Sequence, residues 1–184
     1  MDASDGASVT AVDTFGEEWF SAASQKALGD LCDRTGHLEG DVVEIGCWTG
    51  RSTVALANAC YPGIVHAVDT WEGSPGEISA DLAAQRDVFG EFRANIDAYT
   101  AGNVVPHRMG WRDYLPTSGP IRFLHIDAEH TYVEVRDNIA AALPLLVPGA
   151  ILCGDDVHHP PVQEAVIEAF GVLQPVASLW WVRV

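Results

Sequence analysis

The feature that most constrains the fold of this chain is an alternation of short apolar runs with longer amphipathic stretches from Asp41 onward. The runs have the length of strands, and the stretches between them have helical spacing. Strands joined by crossover helices form a parallel sheet covered on both faces. We therefore predict one α/β domain over residues 13–184, with strands at Val42–Ile45, Ile64–Val68, Val104–Pro106, Ile121–Ile126 and Ala150–Cys153, and helices near 51–60, 82–99, 132–146 and 161–170.

The two ends of the chain carry separate expectations. Residues 1–12 are small, polar and acidic, so we expect a loose N-terminal segment. Thr14 and Glu17 have the spacing of a capping box for a following helix, which would pack on the sheet or on a partner subunit in a homodimer. Residues 171–184 have the pattern of two short strands around positions 177–178, the second at an edge of the sheet or inserted into it.

The balance of charges limits the partners of the chain. Ten basic and 26 acidic residues give a net charge of −16 with neutral histidines, which would repel phosphate backbones and anionic lipid headgroups. No apolar stretch has the length of a bilayer span, and the acidic N-terminus does not have the pattern of a secretory signal. The four cysteines match no CxxC pair or zinc knuckle, and their apolar neighbours indicate buried, reduced thiols. We expect a cytoplasmic protein that binds neither nucleic acid nor membrane.

A glycine loop closes the first predicted strand and opens a helix. The tract has the form Glu44-x-Gly46-x-x-x-Gly50. Glycines let the backbone approach a ligand, and the free N–H groups of a helix start face it. A tight turn without a ligand has the same pattern. As a cofactor loop, this tract would contact its ligand through Glu44, Gly46, Cys47, Trp48, Gly50 and Ser52.

An acid follows the second predicted strand. Asp69 lies about 20 residues beyond the glycine loop, where a carboxylate can accept hydrogen bonds from both hydroxyls of a ribose. A dinucleotide site would instead need a Gly-x-Gly-x-x-Gly tract. Glu44 would repel a pyrophosphate but favour an ammonium or sulfonium group. Thr70 and Trp71, the next residues, complete this side of the predicted site.

This combination resembles the S-adenosylmethionine-dependent methyltransferases, whose first motif has the Glu/Asp-x-Gly-x-x-x-Gly form. The resemblance implies a doubly wound, mostly parallel, seven-stranded Rossmann-like sheet with an antiparallel C-terminal strand. It also implies S-adenosylmethionine as cofactor, with Gly46 and Gly50 beside its methionine part and Asp69 on its ribose. In that family the loop after the third strand edges the adenine, here Gly110 and Trp111. Trp111 would either stack on the base or serve as a packing anchor.

Acidic residues follow the fourth and fifth predicted strands. Asp127 ends the fourth strand, and Asp155 and Asp156 end the fifth. If these strands are neighbours, their ends lie about 5 Å apart. Carboxylates gathered there need raised pKa values, basic partners or a hard cation. We expect Mg²⁺ or another divalent cation, although an acidic pair that caps the next helix has the same pattern.

The tract Ile126-Asp127-Ala128-Glu129-His130-Thr131-Tyr132, together with Pro148-Gly149 and the acidic pair, narrows the resemblance. It is similar to small-molecule O-methyltransferases grouped with the macrocin and mycinamicin enzymes and with the cephalosporin hydroxylase family. The resemblance implies that Asp127, Asp155 and Asp156 hold the metal, that Asp127 also borders the cofactor, and that His130 is the general base. His130 capping the next helix is the alternative. Ala128 stands where the family commonly has glycine.

We therefore predict a metal-assisted methyl transfer to a hydroxyl of a small molecule, either a sugar or a natural product. His158 and His159, with His130, leave open a metal-dependent oxygenase, because imidazoles beside carboxylates can hold iron. A methyltransferase without metal dependence and a non-catalytic adenosine-binding module also fit the sequence. The turn-rich segment 71–77 would close over the substrate or form an ordinary surface loop.

Overall fold

A seven-stranded sheet in the order β3-β2-β1-β4-β5-β7-β6 lies at the centre of the computed structural model, which describes residues 15–184. Neighbours from β3 to β5 run parallel, whereas β7 is antiparallel to both β5 and β6. The predicted sheet, mostly parallel with an antiparallel C-terminal part, is confirmed. The strands are β1 Asp41–Ile45, β2 Val65–Asp69, β3 Val104–Arg108, β4 Ile121–Ile126, β5 Leu146–Gly154, β6 Pro175–Val176 and β7 Leu179–Arg183.

Helices cover both faces of the sheet. One face packs against α1, α2 and α4, and the other against α5, α6 and α7. Side chains alternate between these faces along each strand, so Phe123 of β4 joins the first core and Leu124 the second. The helices are α1 Ala22–Asp33, α2 Arg51–Cys60, α3 Ile78–Ala83, α4 Val88–Tyr99, α5 Trp111–Tyr114, α6 Tyr132–Ala142 and α7 Pro160–Phe170, with 3₁₀ turns at Leu115–Thr117 and Leu143–Leu145.

Several predicted element boundaries were wrong. The predicted helix 82–99 is interrupted, because the Asp87 carboxylate accepts the Gly90 N–H (3.0 Å) and starts a new helix there. The predicted helix 132–146 ends earlier and continues as a 3₁₀ turn. The first helix begins at a Ser21 cap rather than at the predicted capping box. Thr14 of that box and the predicted loose segment 1–12 lie outside the described residues.

The C-terminal hairpin extends the sheet beyond β5, with β7 in the inner position and β6 at the edge. β7 pairs with β5 on one side and with β6 on the other, so the insertion alternative is the one observed. Trp180 of β7 is almost completely buried, and a Cβ on Gly154 would lie 2.7 Å from its ring. Glycine at position 154 therefore permits the close approach of the two strands. The four cysteines are buried free thiols, and within the described part of the chain no helix is long and apolar enough to cross a bilayer.

Candidate active site

The segments that follow β1, β4 and β5 lie side by side at one edge of the sheet. Gly46 N–H donates to the carbonyl of Val68 in β2 (2.9 Å). Asp127 N–H donates to the last residue of β1 (2.7 Å), and Asp155 N–H donates to the last residue of β4 (3.1 Å). Each segment thus continues the parallel ladder by one hydrogen bond beyond its strand. The glycine loop and the acidic tracts meet at one edge, as the sequence predicted.

A cavity of about 600 Å³ opens at this edge. Its wall combines residues singled out in the sequence with residues that sequence reasoning missed. The predicted ones are Gly46, Cys47, Trp48, Ser52, Asp69, Thr70, Gly110, Trp111, Asp127, His130, Asp155 and Asp156. Those missed include Glu17, Trp19, Phe20, Arg51, Ile78 and Glu134.

Gly46 is required by a close approach of two chain segments. Its φ is +84°, and an added Cβ would lie 1.8 Å from the carbonyl oxygen of Asp127. No side chain fits between these backbones, so the residue after β1 must be glycine. Gly46 and Asp127 both line the cavity, and the lack of a side chain on Gly46 leaves the space beside them open.

Asp69 holds the glycine loop from the end of β2. Its Oδ2 accepts the N–H groups of Cys47 (2.7 Å) and Trp48 (2.9 Å), and its Oδ1 accepts the N–H of Trp71 (2.7 Å). Burial raises the pKa of this carboxyl, and the three amides partly oppose that rise. Both oxygens, which we expected to be reserved for a ribose, are therefore already bonded to the loop. Oδ1 accepts only one of these hydrogen bonds and can accept a second, so Asp69 can order the loop and still contact a ligand.

The structure does not bring Glu44, Gly50 or Trp71 to the cavity wall. Glu44 is fully buried and accepts hydrogen bonds from the Thr53 hydroxyl and from His125 Nδ1 (3.1 Å). Gly50 has a φ of +92°, which disfavours a side chain, and an added Cβ would lie 3.0 Å from a ring carbon of Phe92 in α4. Trp71 is buried, and its indole N–H donates to the Trp48 carbonyl (2.8 Å). These three residues support the loop from behind, so the expected direct contact of Glu44 with a cationic cofactor does not match its position.

Residues 15–20, the covering segment, lie across the glycine loop. Glu17 accepts the indole N–H of Trp48 (3.0 Å) and pairs with Arg86 (2.7 Å). The Thr49 hydroxyl donates to the Phe15 carbonyl (2.7 Å). Burial raises the pKa of Glu17, but the hydrogen bonds from Arg86 and Trp48 outweigh it and lower the pKa overall. The spacing of Glu17 suggested a helix cap, and no sequence signal indicated this position over the loop.

An imidazole and two carboxylates converge beyond β4 and β5. His130 Nε2 lies 2.9 Å from Asp156 Oδ2 and 3.8 Å from Asp127 Oδ1, and His130 Nδ1 lies 3.2 Å from Glu77 Oε1. Ligand atoms of Asp127, His130 and Asp156 all lie within 4.8 Å of one another. Burial lowers the pKa of His130, but Asp127 and Asp156 outweigh it and raise the pKa to about 11. Without a cation, the imidazole is protonated at neutral pH.

Asp155 lies outside this cluster, so the structure brings together two of the three aspartates that were predicted to hold a metal. Asp156 has a φ of +57°, which turns the backbone after β5. The Asp156 carboxylate faces His130, whereas Asp155 interacts with Ser178 beside the C-terminal hairpin. Asp155 is only 9% exposed, and its Oδ1 has no hydrogen-bond partner among the described residues. Burial and the charge of Asp127 raise its pKa to about 7.

The helix-capping alternatives for these residues were wrong. Thr131, not His130, caps α6, since its hydroxyl oxygen accepts the Glu134 N–H (3.3 Å). The N-cap position of α7 is His159, and its side chain makes no capping hydrogen bond. His130 and the acidic pair therefore have no capping function and face the cavity instead.

Trp111 is anchored and also lines the cavity. Its indole N–H donates to Glu134 (3.1 Å), which also holds Arg112 through two hydrogen bonds (3.0 and 2.6 Å). The Arg112 guanidinium lies 4.2 Å from the centre of the indole ring. Trp111 is therefore a packing anchor that also borders the cavity, and its stacking on a base stays a prediction. Gly73, Ser74, Pro75 and Glu77 of the turn-rich segment also line the cavity.

Comparisons with known proteins place these features beside methyltransferases. A model of the methyltransferase domain family matches residues 43–157. The O-methyltransferase TomG from Streptomyces achromogenes, solved with S-adenosylmethionine, is 20% identical with a TM-score of 0.66 and covers 88% of this chain and 79% of its own. The calicheamicin methyltransferase CalS11 is 17% identical with a TM-score of 0.69, and the match covers 89% of this chain and 80% of CalS11. An O-methyltransferase from Bacillus cereus solved with S-adenosylhomocysteine is 23% identical with a TM-score of 0.59, and the match covers 89% of this chain and 82% of the Bacillus cereus enzyme. No curated protein matches the chain.

Proposed function

Since this chain belongs to the methyltransferase domain family, we propose that it transfers the methyl group of S-adenosylmethionine to a hydroxyl of a small molecule. Membership of this family confirms the resemblance found in the sequence. The observation that carries the proposal is the direct bonding of the Gly46 loop to Asp69, beside the cluster of Asp127, His130 and Asp156 in one cavity. The proposed cofactor site and the residues proposed to activate the acceptor therefore line the same cavity.

The glycine loop and its surroundings fit the proposed cofactor. Gly46 leaves room where any side chain would collide with Asp127, and the loop amides are fixed by Asp69. Trp48 and the covering segment would close the methionine end, and Trp111 would border the adenine end. When bound, S-adenosylmethionine supplies an electrophilic methyl group. TomG and the Bacillus cereus enzyme, which share this fold, were solved with this cofactor and its demethylated product.

The cluster of Asp127, His130 and Asp156 fits a divalent cation. The buried Nε2 of His130 makes no hydrogen bond of good geometry, although it lies 2.9 Å from Asp156. Two carboxylates with one imidazole suit Mn²⁺ or Zn²⁺ as well as Mg²⁺. A cation held there would lower the pKa of an acceptor hydroxyl and fix its position.

His130 is better placed as a ligand of this cation than as the free general base. Its pKa of about 11 means that the ion-paired imidazole holds its proton at neutral pH and cannot accept another. A metal requires the neutral ring, so cation binding would displace that proton. Asp127 and Asp156 then balance the charge of the cation rather than that of the imidazolium.

The oxygenase alternative gains no support from the positions of the histidines. His158 is exposed and does not line the cavity. The ring of His159 lies 6.1 Å from that of His130, and the converging group contains one imidazole rather than two. A sugar or natural product as acceptor and a cytoplasmic location remain parts of the proposal.

Calorimetric titration tests the proposed function. S-adenosylhomocysteine should bind the purified protein, and Mn²⁺ or Mg²⁺ should bind in a separate titration with release of a proton. Asp127→Asn should weaken cation binding, whereas the matched change Asp97→Asn, on the exposed surface of α4, should not. Absence of cofactor binding would reject the proposal. Cofactor binding without cation binding would leave a methyltransferase that needs no metal.

A further inference from the structure

The two ring nitrogens of His130 face different parts of the cavity wall. Nε2 lies near the carboxylates of Asp156 (2.9 Å) and Asp127 (3.8 Å), which follow β5 and β4. Nδ1 lies 3.2 Å from Oε1 of Glu77, at the start of α3. Among the described residues, the ligand atoms that lie within 4.8 Å of one another belong to Asp127, His130 and Asp156, and Glu77 is not part of that set. Glu77 therefore contacts the imidazole without being placed as a ligand of the proposed cation.

This division decides which ring nitrogen can bind a cation. A neutral imidazole carries one hydrogen, and only the nitrogen without it offers a lone pair to a metal. A carboxylate that accepts the Nδ1–H keeps the hydrogen on Nδ1 and leaves the lone pair on Nε2, the nitrogen that faces Asp127 and Asp156. The same hydrogen bond restricts the rotation of the ring and makes its other nitrogen a stronger ligand. Glu77 thus lies where the partner of a metal-binding histidine is required.

Helix capping does not explain the direction of the Glu77 side chain. Glu77 is the N-cap residue of α3, a position usually occupied by Ser, Thr, Asp or Asn, whose short side chains accept N–H groups of the first turn. The Glu77 side chain makes no such hydrogen bond. It contacts His130 instead, and this contact joins the start of α3 to the segment that follows β4.

The turn before α3 positions Glu77 through contacts that do not involve its carboxylate. The Ser74 N–H donates to Ser79 Oγ (3.0 Å), and the Glu77 N–H donates to the Ser74 carbonyl (3.1 Å). Gly73 has a φ of +75°, and an added Cβ would lie 2.4 Å from a backbone carbon of Ser79. The backbone of this turn is therefore held independently of the Glu77 side chain, so a change of that side chain tests its contact with His130.

We propose that Glu77 is a positioning residue, which accepts the Nδ1–H of His130 and thereby presents Nε2 to a divalent cation held with Asp127 and Asp156. This inference rests on the proposed function and adds to it a residue outside the set of cation ligands. Through Glu77, the turn-rich segment 71–77 supports the cation site in addition to forming part of the cavity wall.

Calorimetric titration with Mn²⁺ compares two changes at this position. Glu77→Ala removes the hydrogen-bond acceptor and should weaken Mn²⁺ binding about 10- to 100-fold, the loss typical for the partner of a metal-binding histidine. Glu77→Gln keeps an acceptor oxygen and removes only a partly exposed charge, so it should lose no more than about threefold. The control is Glu72→Ala, the matched change on an exposed side chain of the same segment outside the cavity wall, which should retain the affinity of the unchanged protein.

Nitrogen NMR of the Zn²⁺-loaded protein identifies the metal-bound atom directly. The signals of His130 are assigned by their absence from a His130→Gln variant. In the unchanged protein, Nε2 should be the metal-bound nitrogen and Nδ1 the protonated one. This pattern should be lost in Glu77→Ala and retained in Glu77→Gln, a difference that a merely structural contribution of Glu77 would not produce.

Three results would overturn the inference while leaving the proposed function in place. They are equal losses of Mn²⁺ affinity in Glu77→Gln and Glu77→Ala, unchanged affinity in Glu77→Ala, and Nδ1 as the metal-bound nitrogen of the unchanged protein. In each case, binding of the cation and of S-adenosylhomocysteine by the unchanged protein upholds the proposed function. A failure of the unchanged protein to bind Mn²⁺ would overturn the inference together with the metal-dependent part of that function.

Discussion

Three aspartates at the ends of β4 and β5 have different surroundings although their residue type is the same. Asp127 and Asp156 face His130, whereas Asp155 is turned toward Ser178 and the C-terminal hairpin. The sequence predicted that these acids would gather at one edge, because the ends of adjacent parallel strands must meet. It could not predict which carboxylate faces the imidazole, because that depends on the positive φ of Asp156.

Asp156→Asn is expected to weaken cation binding at least about tenfold, because a neutral amide oxygen replaces a charged ligand 2.9 Å from His130. The measurement is a calorimetric titration with Mn²⁺. Asp113→Asn, a matched change on an exposed side chain of α5 outside the cavity wall, should retain the affinity of the unchanged protein. Equal affinities of the two variants would remove Asp156 from the proposed cation site.

Asp155→Asn is expected to stabilise the protein without cations at alkaline pH. Burial and Asp127 raise the pKa of Asp155 to about 7, so the folded protein holds a proton that the unfolded chain has already released. The contribution of Asp155 to the unfolding free energy is fully present below the pKa that this carboxyl has in the unfolded chain. It is lost as the pH rises through the folded-state pKa of about 7. The unfolding free energy of the variant minus that of the unchanged protein should therefore be about 1–3 kcal/mol larger at pH 8 than at pH 5.

Urea denaturation in the presence of a chelator at both pH values measures this gain. Asp97→Asn, which changes an exposed carboxylate on α4, serves as the control and should show no such pH dependence. A difference between Asp155→Asn and the unchanged protein that stays constant from acid to alkaline pH would contradict the assignment.

Among the elements, the β1–α2 connection has the most restricted geometry. The Glu44-x-Gly46-x-x-x-Gly50 pattern predicted this connection correctly, because each glycine lies where backbone or ring atoms approach closely and leave little room for a side chain. The role of Glu44 was not predictable, since a carboxylate at the end of a strand can face either the cavity or the space below the loop. Its burial against His125 depends on a residue 81 positions away.

Gly46→Ala is expected to destabilise the protein by about 3 kcal/mol or more, or to prevent folding, since the new Cβ would lie 1.8 Å from the Asp127 carbonyl oxygen. The measurement is the unfolding free energy from urea denaturation. Gly110→Ala is the control, because its φ is −70° and no atom lies within 4 Å of the added Cβ. Similar stability of the two variants would show that the loop can move away from β4.

Element boundaries show where local patterns and tertiary structure disagree. The strands were predictable because their apolar runs are buried between two helical layers. The break between α3 and α4 was not, because the apolar spacing continues across it and the Asp87 cap is a single side-chain bond. The covering segment was missed for a different reason. Its contacts with Trp48 and Arg86 join residues far apart in the sequence.

At the scale of the whole molecule, cofactor binding should raise thermal stability. The covering segment, the glycine loop and the ends of β4 and β5 all line the cavity, so a ligand there would contact all of them. S-adenosylhomocysteine at about 100 times its Kd should add about 2.7 kcal/mol, or roughly 5–10 °C in Tm. Calorimetric scans with the ligand and with adenosine alone give the comparison, and an unchanged Tm would argue against a ligand in this cavity.

The inserted position of β7 has a consequence for how the molecule is made. A ribosome releases residues in order, so β1, β4 and β5 exist before the hairpin that follows them. Ser178, which interacts with Asp155 and accepts the Val157 N–H at its carbonyl (2.8 Å), belongs to that late hairpin. The edge of the cavity that contains Asp155 is therefore completed last during synthesis, and a nascent chain without this hairpin lacks the contacts of Ser178 with Asp155 and Val157.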